Sequence, residues 1–250
     1  MTSSKPNISS LPLRLHQTTS HLTAILSTSA GIDATLATVC YTALFVHSRR
    51  PTPALKALYD ALEDHRIFLR LFGLFPLYTT STSAWLEPHR DPVVKTLLYA
   101  SLAAGTAFQV LENVALLARK GVLRGKRVRE WEGWCWIVSN KFWLAQLIFE
   151  GGRLARVGQL RWREELGAEE VKSCEGENDW KGGGPSLRSE SMELKTKWIR
   201  EVYVTAASIP LAVHWSSEED RSPISETLFA GSGLISGVAA LRDIWDETVS

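Results

Sequence analysis

The chain has 250 residues, with 28 Lys and Arg against 27 Asp and Glu, a net charge of +1 and a mean hydropathy of −0.05. That length can bury a sizeable core, and the three cysteines, Cys40, Cys135 and Cys174, are far apart and in no CxxC spacing. A disulfide-stapled scaffold and a cysteine zinc site are thereby excluded, and a reducing compartment is the natural reading. Met1 to Ser10 is polar and lacks the parts of a secretory signal, and Thr248-Val249-Ser250 is not a Ser-Lys-Leu address, so neither route is expected.

Leu22 to Val46 is apolar or small apart from Asp33 and contains no proline, which predicts one helix. At ~1.5 Å per residue it would be about 37 Å long, enough for a bilayer, but Asp33 and the many hydroxyl side chains favour a buried bundle helix. Pro53 to Tyr78 carries two apolar stripes: Leu55, Leu58, Tyr59 and Leu62, then Phe68, Leu71, Phe72 and Phe75. The second stripe lies thirteen residues after the first, which at about 100° per residue puts the two on nearly opposite faces. A break after Leu62 is therefore expected. It leaves Arg66 to Phe75 as a short amphipathic segment, with Phe68, Leu71, Phe72 and Phe75 as a membrane wedge and Arg66 and Arg70 among headgroups.

Val93 to Ala118 is the longest hydrophobic stretch, and its uncharged run, Thr96 to Leu111, counts sixteen residues, short of the roughly 20 that a span needs. Arg119, Lys120, Arg124, Lys126, Arg127 and Arg129 follow, six cations within eleven residues. Beside a hydrophobic helix they form a site for anionic lipid, each worth roughly 1 kcal/mol near the surface. Trp131, Trp134, Trp136 and Trp143 sit in a further apolar helix ending near Phe149, basic on both flanks, which reads as interfacial, re-entrant or packed in a bundle.

Residues 164–195 turn acidic and then Gly- and Ser-rich, which predicts a flexible loop between an N-terminal helical membrane-associated body (1–163) and a C-terminal helical hairpin (196–250). The last segment contains Gly233-Leu234-Ile235-Ser236-Gly237, a GxxxG suited to helix packing or self-association through Gly233 and Gly237. The fold class expected is all-α: a membrane-associated bundle of amphipathic and marginally hydrophobic helices.

Catalytic chemistry is not in view. The six histidines form no HExxH, there is no GxGxxG, GxxxxGK[ST] or GxSxG, and Glu63-Asp64 are adjacent and so diverge on a helix. No enzyme activity, metal or cofactor is expected, and the basic run lacks any module around it that would make nucleic acid the partner. An ionisable residue in an apolar helix is a functional candidate by default. For Glu112 and Asp33 the favoured reading is nonetheless a buried carboxylate paired with an arginine or lysine of a neighbouring helix.

Ser29-Ala30-Gly31-Ile32-Asp33 with Tyr41, then Arg70-Leu71-Phe72-Gly73, Leu111-Glu112-Asn113-Val114-Ala115 and the Gly-rich helix from Gly233 to Trp245 together resemble the peroxin-11 family, in family order along most of the chain. Ala34 and Thr35, where basic residues often follow the Asp, point to a divergent branch similar to the fungal peroxin-11C-like group. The resemblance implies a peroxisomal membrane protein with its termini towards the cytosol, which curves the membrane to promote elongation, proliferation or fission. It also implies self-association, membrane lipids as partners and the fission machinery as a further one. The alternatives are a small-solute membrane channel lined by Glu112 or Asp33, and a soluble or peripheral helical interaction protein.

Overall fold

The computed structural model describes residues 11–86, 91–174, 185–217 and 222–249, and among them every regular element is helical. The first two helices are α1 (Leu11–Leu26) and α2 (Ser29–Arg49), so the apolar stretch expected as one helix is interrupted at Ser27-Thr28. The hydroxyl of Thr28 explains the interruption: it accepts a hydrogen bond from the Gly31 N–H and caps α2.

Helix α3 runs from Pro53 to Leu69 without a break at Leu62, and the chain bends later, through a single 3₁₀ turn at Arg70–Phe72, before α4 (Leu74–Leu86). The two stripes do face opposite ways. Tyr59 is buried in the core while Phe68 points outward from the same continuous helix. Phe68 is the only member of the second stripe on α3; Leu71 and Phe72 lie in the 3₁₀ turn and Phe75 in α4, so the interruption falls between the stripes' main parts at Arg70 and not at Leu62.

An antiparallel pair follows, α5 (Pro92–Arg119) and α6 (Lys126–Cys174), joined by a turn in which Gly121 and Gly125 adopt φ of 73° and 151°, values that L side chains rarely reach. The α6 helix does not stop near Phe149. It continues as helical backbone through residues 164–174, and α7 (Pro185–Ser216) is helical from residue 185, so both ends of the stretch expected as a loop are helix. Residues 175–184 of that stretch lie outside the described residues. The last helix is α8 (Glu226–Val249).

The packing closes a ring: α2 lies against α3 and α8, α8 against α7, α7 against α6, α6 against α5, and α5 against the 3₁₀ turn and α4. The densest part of the core gathers Cys40, Tyr41 and Leu44 of α2, Tyr59 of α3, Leu211 of α7 and Phe229 of α8. Here the GxxxG is used within the chain. A Cβ on Gly233 would come within 2.3 Å of the Tyr41 ring, and one on Gly237 within 3.0 Å of the Thr38 backbone nitrogen, so the two glycines let α8 lie directly on α2. Both glycines are buried in this contact.

Candidate membrane-contacting site and its anchor

Between Leu71 and Leu86 there is no charged residue, an unusual composition for a stretch that is mostly exposed. Phe68, Phe72 and Phe75 are 55%, 57% and 73% exposed. Tyr78, Trp85 and Leu86 continue the same pattern along α4, whereas Leu71 is half-buried. In water such an apolar ridge would be a liability, and ridges of this kind mark surfaces that meet a partner or a bilayer. Sequence reasoning stopped at Phe75. The missed signal was the absence of charge all the way to Leu86, which puts Tyr78 and Trp85 in the same surface.

The arginines of this segment face the other way. The Arg66 Nε donates to Asp33 Oδ1 of α2 at 2.9 Å, and its guanidinium lies 5.4 Å from the centroid of the Tyr41 ring. Arg70 Nη1 lies 3.0 Å from Glu112 Oε1 of α5. Both guanidiniums are therefore held by carboxylates of neighbouring helices, as the paired reading of Asp33 and Glu112 anticipates, and not free at headgroups as the helical spacing of the segment suggests.

The 3₁₀ turn is clamped from α5. Gln109 Nε2 donates to the Arg70 carbonyl at 2.7 Å, and Asn113 Nδ2 donates to the Leu71 carbonyl at 3.2 Å. Gln109 also donates to Asn113 Oδ1 at 3.0 Å, so the two amides brace each other. Gly73 completes the fit: a Cβ there would come within 2.6 Å of Gln109 Oε1. Gln109, Glu112 and Asn113 recur at helical spacing on one face of α5, and together they bind one turn of chain by its carbonyls and its side chain. The Arg-Leu-Phe-Gly and Leu-Glu-Asn segments, forty residues apart in sequence, are thus two halves of one contact.

The basic cluster lies at the end of the α5–α6 hairpin. Arg119, Lys120, Arg124, Lys126 and Arg127 are exposed around an apolar tip, Val122-Leu123, and the side chain of Arg129 lies outside the described residues. Lys120 lies 3.4 Å from Asp64, one helical turn before Phe68, so the cations and the phenylalanines are neighbours. Trp131 and Trp134, 63% and 58% exposed, extend the surface along α6. Trp136 turns inward and lies 5.8 Å from the Arg119 guanidinium. Helices α2 and α5 are long and apolar enough to cross a membrane by length and composition, with 39% and 44% of their apolar windows buried inside the protein.

The family model described as Peroxisomal biogenesis factor 11 (PEX11) matches residues 19–245, which takes in the second half of α1, every helix from α2 to α7 and most of α8. The chain belongs to that family. It is a peroxisomal biogenesis factor of the peroxisomal membrane. No curated protein and no solved structure matches the chain. Within the family match fall both halves of the clamp, both arginine–carboxylate pairs and the GxxxG contact.

Proposed function

We propose that this factor binds the cytosolic leaflet of the peroxisomal membrane and bends it, so promoting elongation, proliferation or fission of the organelle. The observation that carries the reading is the exposed ridge that begins at Phe68 and continues through the uncharged stretch from Leu71 to Leu86, held at a fixed bend by α5. A body pressed into one leaflet expands that leaflet relative to the other and favours curvature towards it. Exposure of 57% leaves roughly 110 Å² of Phe72 to be buried, which at about 25 cal/mol per Å² is worth ~3 kcal/mol of partitioning. Anionic lipids are the preferred partners, through Arg119, Lys120, Arg124, Lys126 and Arg127 at the hairpin end, with Arg129 assigned to the same cluster from the sequence. Self-association and recruitment of fission machinery would gather many such wedges at one site, with the termini in the cytosol.

The experiment adds full-length protein to anionic vesicles and follows binding by co-flotation and shape by electron microscopy. The protein is expected to bind and draw out tubules, and Phe72→Glu to abolish tubulation. Tubulation undiminished by Phe72→Glu, or binding without any change of shape, would refute the wedge.

A further inference from the structure

Inside the ring of helices is a cavity of about 430 Å³ with walls from α2, α3, α5, α6, α7 and α8, within the roughly 300–1,000 Å³ range of small-molecule sites. Its charged lining is unbalanced. Asp33 is matched by Arg66 and Glu112 by Arg70, which leaves Glu63, also in the wall, with no ion pair among the described residues. Tyr59 is the hydrogen-bond neighbour of the Glu63 carboxyl, and burial pushes that carboxyl above the usual range. Glu112 supplies a second sign of an unmet need: its side chain is 6% exposed, it lines the cavity, and its Oε2 has no hydrogen-bond partner. Buried carboxylate oxygens without partners are rare and costly. Five aromatic side chains, Tyr41, Phe108, Trp136, Trp143 and Trp215, share the rest of the wall with small, aliphatic and a few neutral polar residues.

We propose that this cavity is a binding site for a small organic ammonium ion, presented as a free amine or as the amino headgroup of a lipid. Three carboxyl groups against two guanidiniums leave acceptor oxygens that the wall's own cations do not engage, and a bound ammonium ion would favour the ionised form of Glu63 over the neutral form that burial favours. An ammonium N–H is the donor that Glu112 Oε2 lacks, and indole and phenol faces attract a cation through their quadrupoles. Arg70 Nε in the same wall is also without a hydrogen-bond partner, but an anion is disfavoured, because both arginines already pair with carboxylates and Glu63 adds a third carboxyl group. The site does not depend on the membrane wedge.

The test titrates purified full-length protein with ethanolamine, choline and spermidine, with ethylene glycol as a neutral control, reading tryptophan emission and thermal unfolding. At least one ammonium is expected to give a saturable emission change and a rise in Tm that ethylene glycol does not. Glu63→Gln is expected to weaken that response about tenfold or more. Ala240→Phe, which fills the cavity from α8, is expected to abolish it while leaving the helical circular dichroism intact, and it serves alone if Glu63→Gln does not fold. No saturable response, an equal response to ethylene glycol, or a response indifferent to both variants would overturn the site. Vesicles with and without phosphatidylethanolamine then assign the source. Competition with free ethanolamine only when that lipid is present identifies a headgroup, and binding of free amine unaffected by it identifies a soluble guest. Failure here leaves tubulation untouched, and failure to tubulate leaves the amine titration untouched.

Discussion

Arg70→Leu is the most telling perturbation of the clamp, because it removes the partner of a deeply buried carboxylate while keeping an apolar stem in its place. Glu112 is 6% exposed and Arg70 30%, with Nη1 and Oε1 3.0 Å apart. Without the guanidinium, Glu112 either stays charged and unpaired, at a cost of about 3–5 kcal/mol, or takes up a proton. Protonating a carboxyl of ordinary pKa ~4.3 at pH 7 costs about 3.7 kcal/mol, which caps the penalty near that figure. In the variant the folded state then holds one proton more than the unfolded state. The penalty should therefore shrink by about 1.4 kcal/mol per pH unit on acidification, to about 1 kcal/mol at pH 5. Glu112→Gln is the control: it leaves no buried charge, Arg70 still reaches solvent, and the loss should be only about 1–2 kcal/mol. Urea unfolding of wild type and both variants, followed by tryptophan emission at pH 7 and pH 5, measures all of this. Equal losses for the two variants, or a loss for Arg70→Leu that does not change with pH, would refute the account of a buried, paired Glu112.

Gly233→Ala should destabilise by roughly 1–3 kcal/mol, since the new Cβ would sit 2.3 Å from the Tyr41 ring; Gly151→Ala in α6 meets nothing within 4 Å and should gain about 0.5–1 kcal/mol of helix stability. Thermal unfolding of the pair checks both signs. Replacing Arg124, Lys126 and Arg127 together by Gln should cost about 3 kcal/mol, about a hundredfold, in binding to anionic vesicles at low salt, with no effect on neutral vesicles; flotation assays read both. His214, packed 4.2 Å from the centroid of the Phe229 ring and hydrogen-bonded to Ser222 Oγ at 2.8 Å, has its imidazole pKa lowered by burial. The folded state thus disfavours the proton, so this contribution to stability is full above ~6.5 and is lost as pH falls below it. Denaturation midpoints of wild type and His214→Phe from pH 8 to pH 5 should converge towards acid if only the wild type has this term to lose.

The helices were legible because hydrophobic periodicity and length report on them directly, and α5 lies close to its expected range. The break at Thr28 was less so, since a single capping hydroxyl in a small-residue run gives no periodic signal. Different surroundings for the two stripes followed from the 100° step, but that step does not say where between them the helix is interrupted, and the interruption falls at Arg70, after Phe68, and not at Leu62. Glu112 and Asp33 were recognisable as buried carboxylates needing partners, because a charge in an apolar helix has few stable alternatives. Their actual partners, Arg70 and Arg66, were assigned elsewhere, because amphipathic spacing puts an arginine on a face without telling what that face meets. The carbonyl clamp by Gln109 and Asn113 was invisible for a plainer reason: its acceptors are backbone atoms, which every sequence supplies equally.

Commitment of Arg66 and Arg70 to internal carboxylates changes how the protein would approach a membrane. A wedge with its own arginines at headgroups would couple attraction and insertion in one segment, so that anionic lipid would be needed for both. Here the ridge from Leu71 to Leu86 has no charge, and attraction falls to the α5–α6 turn, whose cations meet α3 where Lys120 approaches Asp64. Long-range attraction, which salt screens with a Debye length of about 10 Å at 0.1 M, is thereby separated from short-range apolar insertion, which salt does not weaken. The two should part experimentally: added salt should slow capture by anionic vesicles but leave protein already inserted in place, whereas Phe72→Glu should leave capture intact and prevent insertion. A single interfacial helix carrying both functions would lose them together. The rigid bend that α5 imposes at Arg70–Phe72 keeps the uncharged ridge outside and the arginines inside, and so maintains that separation.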